Sequence, residues 1–493
     1  MVVSGTTEDD SRRVVHPTAD DPVTAALSHG VGGPLGEHAG RHSWWTPVRV
    51  LLALTAICFA LGLVQKAPCY KTGWGSSETN YSDMCYSDLP YLYVDRGFAE
   101  LDWPYSDAIA VRDRYQVMEY PVGIAYYAYA SAYVTHWLSG SPDLDPRGGM
   151  SLGQLQADPQ VHRETVRFTA VEGVGFAACA LLAVWFLSGA HRRRPWDAAF
   201  FALSPALLFE GLINWDLLAV ACVAGALWAH SRERPGLTGV MLGLGTAMKL
   251  YPLFLLGGLV VVYARQRRRL DLAGATATGV ATWVILNAPA FFGGRAEWNV
   301  FWSYNSHRGA DLGSVWLMLQ QMTQHTSAVH TINVVSWLFF GAWCAAVAAL
   351  GFLARETPRL AQLGYLLVAG FLLVNKVYSP QYTLWLLPLA VLARPRWRDQ
   401  LIWQGGEIFY YASVWWYLGG HLEPGGGGDP GFYWLAIIVR MAAELYLVAI
   451  VVRDIWMPEY DVVREVSWRD HFSWWRHGGP GELALGRSSD GAG

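Results

Sequence analysis

A chain of 493 residues that is 53% hydrophobic and only 15% charged stands well apart from an ordinary soluble domain, which carries about 25% charged residues. Its 25 Trp and 24 Tyr suit a protein whose amphipathic rings sit at membrane–water boundaries. The net charge of −4, with no basic stripe beyond short clusters between apolar segments, excludes a nucleic-acid partner and makes the lipid bilayer the expected one.

Residues 1–46 are polar, rich in Gly, His, Asp and Thr, and lack hydrophobic periodicity. They read as a disordered tail, with nothing resembling a cleaved signal peptide. The first span is expected over 47–66, long enough to cross about 30 Å of hydrocarbon. A polar region dense in acids and aromatics follows and forms a first outer loop over 67–162. It carries Asp83, Asp88 and Asp95, together with Cys69 and Cys85. Cys58, Cys179, Cys222 and Cys344 fall in apolar segments and read as small buried hydrophobes. If the loop faces an oxidising compartment, a Cys69–Cys85 disulfide is expected. No CxxC or His-rich spacing occurs, so no metal and no cofactor is expected.

Orientation follows from the basic loops His191–Arg194, Ser231–Arg234, Arg265–Arg269, Arg355–Arg359 and Arg394–Arg398, all expected to be cytoplasmic. Between them the apolar stretches predict hairpins, pairing 197–213 with 215–230, 237–248 with 250–264, 271–290 with 330–353, 360–375 with 381–394, and 401–418 with 432–452. Several are short, which places their outer turns in a protein-lined or watery cavity rather than in lipid. The span 163–188 must run inward to deliver Arg192–Arg194 to the cytoplasm, so 67–162 makes no net crossing. The apolar, Tyr-rich stretch 118–139 then lies along the outer surface as a juxtamembrane helix. The fold expected is an all-α polytopic bundle of about twelve transmembrane helices over 47–452, with a cytoplasmic tail over 453–493 and both termini inside.

The outer turns collect the polar residues: the loop acids, Arg112, Arg114 and Glu119, Asn214 and Asp216, Lys249, the run Ser303–Arg308, and Lys376–Gln381. Asp216 and Lys249 each interrupt an apolar hairpin, and ionisable groups in such places face a cavity or a partner. They either pair with each other, or Lys249, Arg308 and Lys376 form a cationic patch for a phosphate arriving from the bilayer. An acidic loop facing such a patch suits transfer of a sugar from a lipid phosphate. Cations stabilise the departing phosphate, and a carboxylate takes the proton of the attacking hydroxyl. No GxxxxGK[ST] loop is present to hold a nucleotide donor.

The stretches Ser87-Asp88-Leu89-Pro90-Tyr91-Leu92-Tyr93, Glu119-Tyr120-Pro121, Lys249-Leu250-Tyr251-Pro252, Ser303–Gly309 and Trp385-Leu386-Leu387-Pro388 resemble, in this order and topology, the multispanning GT-C glycosyltransferases, and within them glycosyltransferase family 87. The resemblance implies a GT-C-like bundle, a polyprenyl-phosphate sugar donor carrying mannose, and a glycolipid or glycan acceptor outside the cytoplasm. It implies that Asp88 is the general base, with Glu119, Tyr120, Asp216, His307, Gln381 and Tyr382 around the substrates. Relatives often carry a second proline where Val122 stands, and some place a histidine where this chain reads Ser379-Pro380-Gln381-Tyr382-Thr383. His307, from another loop, is the candidate for that space. The resulting expectation is an inverting glycosyltransferase of the plasma membrane with an extracytoplasmic site. The alternatives are a lipid-linked sugar transporter or flippase, which would show inverted repeats and midplane polar groups, and a non-catalytic subunit of cell-envelope assembly.

Overall fold

The computed structural model describes residues 44–191, 194–422 and 430–464. Of the tails expected at 1–46 and 453–493, only 44–46 and 453–464 are described, and Arg192 and Arg193 of the first basic loop lie outside the described residues. The described chain is 78% helical and without strands.

The principal helices are α1 (Pro47–Gln65), α2 (Val122–Leu138), α3 (Pro159–Ala190), α4 (Asp216–Ser231), α5 (Pro235–Met248), α6 (Leu255–Arg265), α7 (Arg269–Gly293), α8 (Arg295–His307), α9 (Val329–Leu353), α10 (Leu360–Val374), α11 (Thr383–Ala393), α12 (Trp397–Leu418) and α13 (Pro430–Trp456). Five of them, α1, α3, α7, α9 and α13, are long and apolar enough to cross a membrane. Helix α4, α10 and the segments 251–265 and 380–393 are apolar but shorter. The chain is thus a multi-pass membrane protein whose spans are of two kinds, full length and abbreviated.

Starts are set by local chemistry. At α3 the Asp158 carboxylate accepts from the backbone N–H groups of Gln160 and Val161 at 2.8 and 3.0 Å, ahead of Pro159, whose missing N–H costs nothing at a first helical position. The expected continuous span 197–213 is instead a series of short pieces, Pro195–Ala198, Ala199–Ala202 and Pro205–Glu210. Pro205 is the physical reason. It cannot continue a helix from Phe201 and holds the preceding Ser204 in an extended conformation, with the Ser204 side chain capping the next piece.

Helices α3, α4, α5 and α7 pack in sequence, as do α10 with α11 and α12 with α13. Small residues let α5 and α7 come close. A side chain at Gly239 or Gly243 would collide with the carbonyls of Ala275 and Gly279, the packing that serves helices where no hydrophobic drive separates protein from lipid. Helices α4, α5, α6, α10, α11 and α12 alternate in direction. One end of each meets the basic loops, and the other meets or adjoins a common cavity. At the basic end, Arg359 and Arg464 both bind Asp461, Arg394 bridges Asp399 and Asp454, and Arg265 donates to carbonyls at 351 and 354.

The region 67–158 is folded down rather than free. Cys69 and Cys85 form a disulfide. Arg147, 5% exposed, holds Glu164 of α3 through two hydrogen bonds at 2.7 and 2.8 Å, and Tyr93 donates to the same carboxylate at 3.1 Å. Helix α2 buries Ile124, Ala125, Ala128 and Ala132 and leaves Tyr133, Val134, Trp137 and Leu138 exposed.

Candidate active site

At the end away from the basic loops lies a cavity of about 650 Å³, lined among others by Asp88, Glu119, Tyr120, Lys249, Arg308, Lys376, Gln381 and Tyr382. These side chains come from segments up to about three hundred residues apart, and helix ends bring them together.

Asp88 stands at the start of the short helix Leu89–Asp95. Its position is fixed from the turn before α4: the Asp88 backbone N–H donates to the Ile213 carbonyl at 2.9 Å, and the neighbouring Ser87 hydroxyl donates to the same oxygen at 3.3 Å. Each carboxylate oxygen accepts one hydrogen bond. The Tyr86 hydroxyl donates to Oδ1 at 2.8 Å, and Asn214 Nδ2 donates to Oδ2 at 2.6 Å and to the Tyr120 hydroxyl at 2.7 Å. A lone pair on each oxygen stays available, and the side chain keeps part of its surface open to the cavity. Burial pushes the Asp88 carboxyl above the usual carboxylate range, and the nearby Asp216 charge adds to this. The two hydrogen bonds and the Lys249 charge act the other way. A carboxylate tuned upward in this manner is a better proton acceptor near neutral pH.

Lys249 follows the last turn of α5 with extended backbone. Its ammonium lies 3.3 Å from Asp216 Oδ1 and 4.8 Å from the centre of the Tyr120 ring. Asp216 itself is fully buried, accepts from Trp385 Nε1 at 2.6 Å, and is not among the cavity-lining residues. Its expected place in the substrate pocket is therefore corrected. The indole and ammonium donors draw it behind the wall, where it orients Lys249, while Lys249 remains on the lining. The structure thus joins both sequence alternatives, pairing and a cavity-facing cation.

Arg308 follows α8 and binds Asp311 at 2.6 Å. Lys376 Nζ donates to Asn333 Oδ1 at 2.7 Å and to the Ser306 carbonyl at 3.5 Å. Burial, and then the Arg308 charge, lower the Lys376 ammonium from its ordinary range. The two loops bearing these cations are paired, Asp311 N–H to Lys376 O at 2.8 Å and Tyr378 N–H to Leu312 O at 2.9 Å. Beneath them Arg440 clamps the carbonyls of Tyr378 and Ser379 and is itself neutralised by Glu407 at 2.7 Å. Tyr382 stacks on Trp385 at 4.0 Å between ring centres.

Glu119 lines the cavity while held by Arg96 through two hydrogen bonds of 2.9 Å. His307 is a second correction. It belongs to the last turn of α8, its ring Nδ1 turns back to the Ser303 carbonyl at 2.7 Å, and it is exposed and not among the lining residues. Reading 303–308 as a turn hid this, because a helical histidine reaches the carbonyl four residues back. Tyr86 escaped selection, and Asn214, collected among the outer-turn polar residues, was given no role at the site. Both flank segments already singled out, and the signal was their donor groups beside a carboxylate. Among the described residues no three His, Cys, Asp or Glu side chains form a metal-holding group.

The fold and cavity define a multi-pass α-helical membrane protein with an acid-and-cation site at one end of its bundle. Residues 162–375, from α3 to the loop after α10, match the model of glycosyltransferase family 87. Over that stretch the chain is similar to the family that its motifs resemble, and the match supports a membrane glycosyltransferase. The match takes in Asp216, Lys249 and Arg308, whereas Asp88, Tyr86 and Tyr382 lie outside it. No curated protein matches the chain.

Proposed function

We propose that the protein is an inverting glycosyltransferase that moves a sugar, mannose in our reading, from a polyprenyl phosphate to a glycolipid or glycan acceptor. The observation that carries this is the meeting of one accessible, upward-shifted carboxylate with three cations around a single cavity. In the reaction the acceptor hydroxyl gives its proton to Asp88, and its oxygen attacks the anomeric carbon from the face opposite the phosphate. The bond from that carbon to the phosphate oxygen breaks, its electron pair leaves with the polyprenyl phosphate, and the configuration inverts. Lys249, Arg308 and Lys376 hold the phosphate and meet its growing charge, where preorganised cations in a site poor in water act most strongly. Glu119, Tyr120, Gln381 and Tyr382 shape the remaining pocket.

The disulfide in the loop that bears Asp88 supports an oxidising compartment for this end of the molecule. The site is accordingly assigned to the outer face of the plasma membrane, with both termini cytoplasmic. Proteoliposomes loaded with radiolabelled polyprenyl-phosphate mannose and an extract of membrane glycolipids test the reading. The expected result is labelled glycolipid and free polyprenyl phosphate. Movement of intact donor across the bilayer without transfer would instead make the protein a transporter.

A further inference from the structure

Tyr81, Tyr86 and Trp415 form one group of rings on the cavity wall. Tyr81 and Tyr86 lie 6.1 Å apart with their planes 21° from parallel, and Trp415 backs them at 6.2 and 5.4 Å. The group is braced from three sides. Tyr91 stacks on Tyr86 at 5.7 Å, the Tyr411 hydroxyl donates to the Met84 carbonyl at 2.7 Å, and Gln65 donates to that carbonyl at 2.8 Å. Trp415 is 3% exposed, but Tyr81 and Tyr86 are only half-buried and keep surface open to the cavity. Tyr86 also carries the hydroxyl that grips Asp88, so one rigid unit includes both the ring wall and the carboxylate's orientation.

A phosphate finds no charged side chain among the residues of this wall, which offer chiefly ring faces and the apolar side chains of Val414 and Leu418. A pyranose finds partners there. One face of a sugar ring presents polarised C–H bonds, which suit the electron-rich face of an aromatic ring, while its equatorial rim presents hydroxyls. Tyr86 and Asp88 share a hydrogen bond and a cavity wall, so a sugar against these rings would have a rim hydroxyl within reach of the carboxylate. The cavity volume of about 650 Å³ has room for such a ring beside a phosphate-linked sugar.

We propose that the Tyr81–Tyr86–Trp415 wall is the acceptor subsite, and that the acceptor group it takes is a pyranose ring stacked on those tyrosines rather than an open-chain or peptide hydroxyl. This rests on the glycosyltransferase reading and specifies the acceptor class. Binding is measured on the full-length protein in lipid nanodiscs by saturation-transfer NMR, with octyl mannopyranoside and 1-O-octylglycerol as probes. They share a tail and both carry hydroxyls, but only one has a ring. The pyranoside should bind with its ring C–H protons most strongly saturated, and octylglycerol should bind more weakly. Tyr81→Ala should weaken pyranoside binding about three- to ten-fold, the range expected for one aromatic contact, and Tyr81→Phe should restore it. Trp137→Ala, an exposed aromatic of α2, should leave it unchanged. Equal binding of the two probes, or an indifferent Tyr81→Ala protein, would overturn the proposal. Because binding is read without turnover, failure here leaves the transfer assay standing, and failure of transfer from the polyprenyl phosphate leaves this measurement readable.

Discussion

At the scale of single residues, the site turns on what surrounds Asp88. Tyr86 and Asn214 each stabilise its anion by one hydrogen bond against the effect of burial. Tyr86→Phe removes one of these, so the Asp88 carboxyl rises further. A base works as its anion, so activity falls as pH drops through that pKa, and the acid limb of kcat/KM should move to higher pH. An unmoved limb, or one shifted lower, would contradict the role given to Tyr86. Lys249 answers to stability as well as to binding. Lys249→Met strands buried Asp216 and should destabilise the protein by about 3–5 kcal/mol, with most of that recovered in the double variant Asp216→Asn/Lys249→Met. Thermal unfolding in detergent reads both, and an undisturbed single variant would show that the pair does not matter. Lys249 was conspicuous in the sequence because charge in apolar company stands out, whereas Asp88 was set apart from Asp83 and Asp95 only by the family motif around it. The retreat of Asp216 was not legible, since its partner Trp385 lies 169 residues away and no local pattern reports such a pairing.

At the scale of elements, the region 67–158 is held to the bundle by the buried Arg147–Glu164–Tyr93 group. Glu164→Leu leaves the Arg147 guanidinium buried and unpaired, so it should lower stability by about 3–5 kcal/mol. Unfolding temperature checks this, and a value equal to the parent's would mean that the region is held by other contacts. The helices themselves were readable from hydrophobicity, down to the short hairpin segments ending at Lys249 and Lys376. Where the reading failed, at 197–213, Ser204-Pro205 outweighed an apolar run that composition alone makes continuous. At 303–308 polarity suggested a turn, whereas the segment closes α8, a helix whose apolar residues Phe301 and Trp302 face the cavity.

At the scale of the whole molecule, alternating helices separate a basic end from a cavity end, which gives the protein a direction in the membrane. With the cavity end outside, Gly148, exposed in the region 67–158, faces the exterior. A Gly148→Cys protein in intact cells should react with a membrane-impermeant maleimide, and labelling only after lysis would reverse the orientation. The basic loops made this polarity legible in sequence, whereas the convergence of eight distant stretches on one cavity required the packing of the whole bundle. That convergence gives the central claim, that Asp88 is the base of a sugar transfer whose donor phosphate sits on the cations. Its most direct measurement is transfer by Asp88→Asn in proteoliposomes, alongside titration of the polyprenyl-phosphate mannose donor. The account predicts a loss of about 10²–10⁴-fold in kcat with donor affinity kept within about two-fold, a change worth only ~0.4 kcal/mol. An Asp88→Asn enzyme that turns over at the parent rate would contradict it.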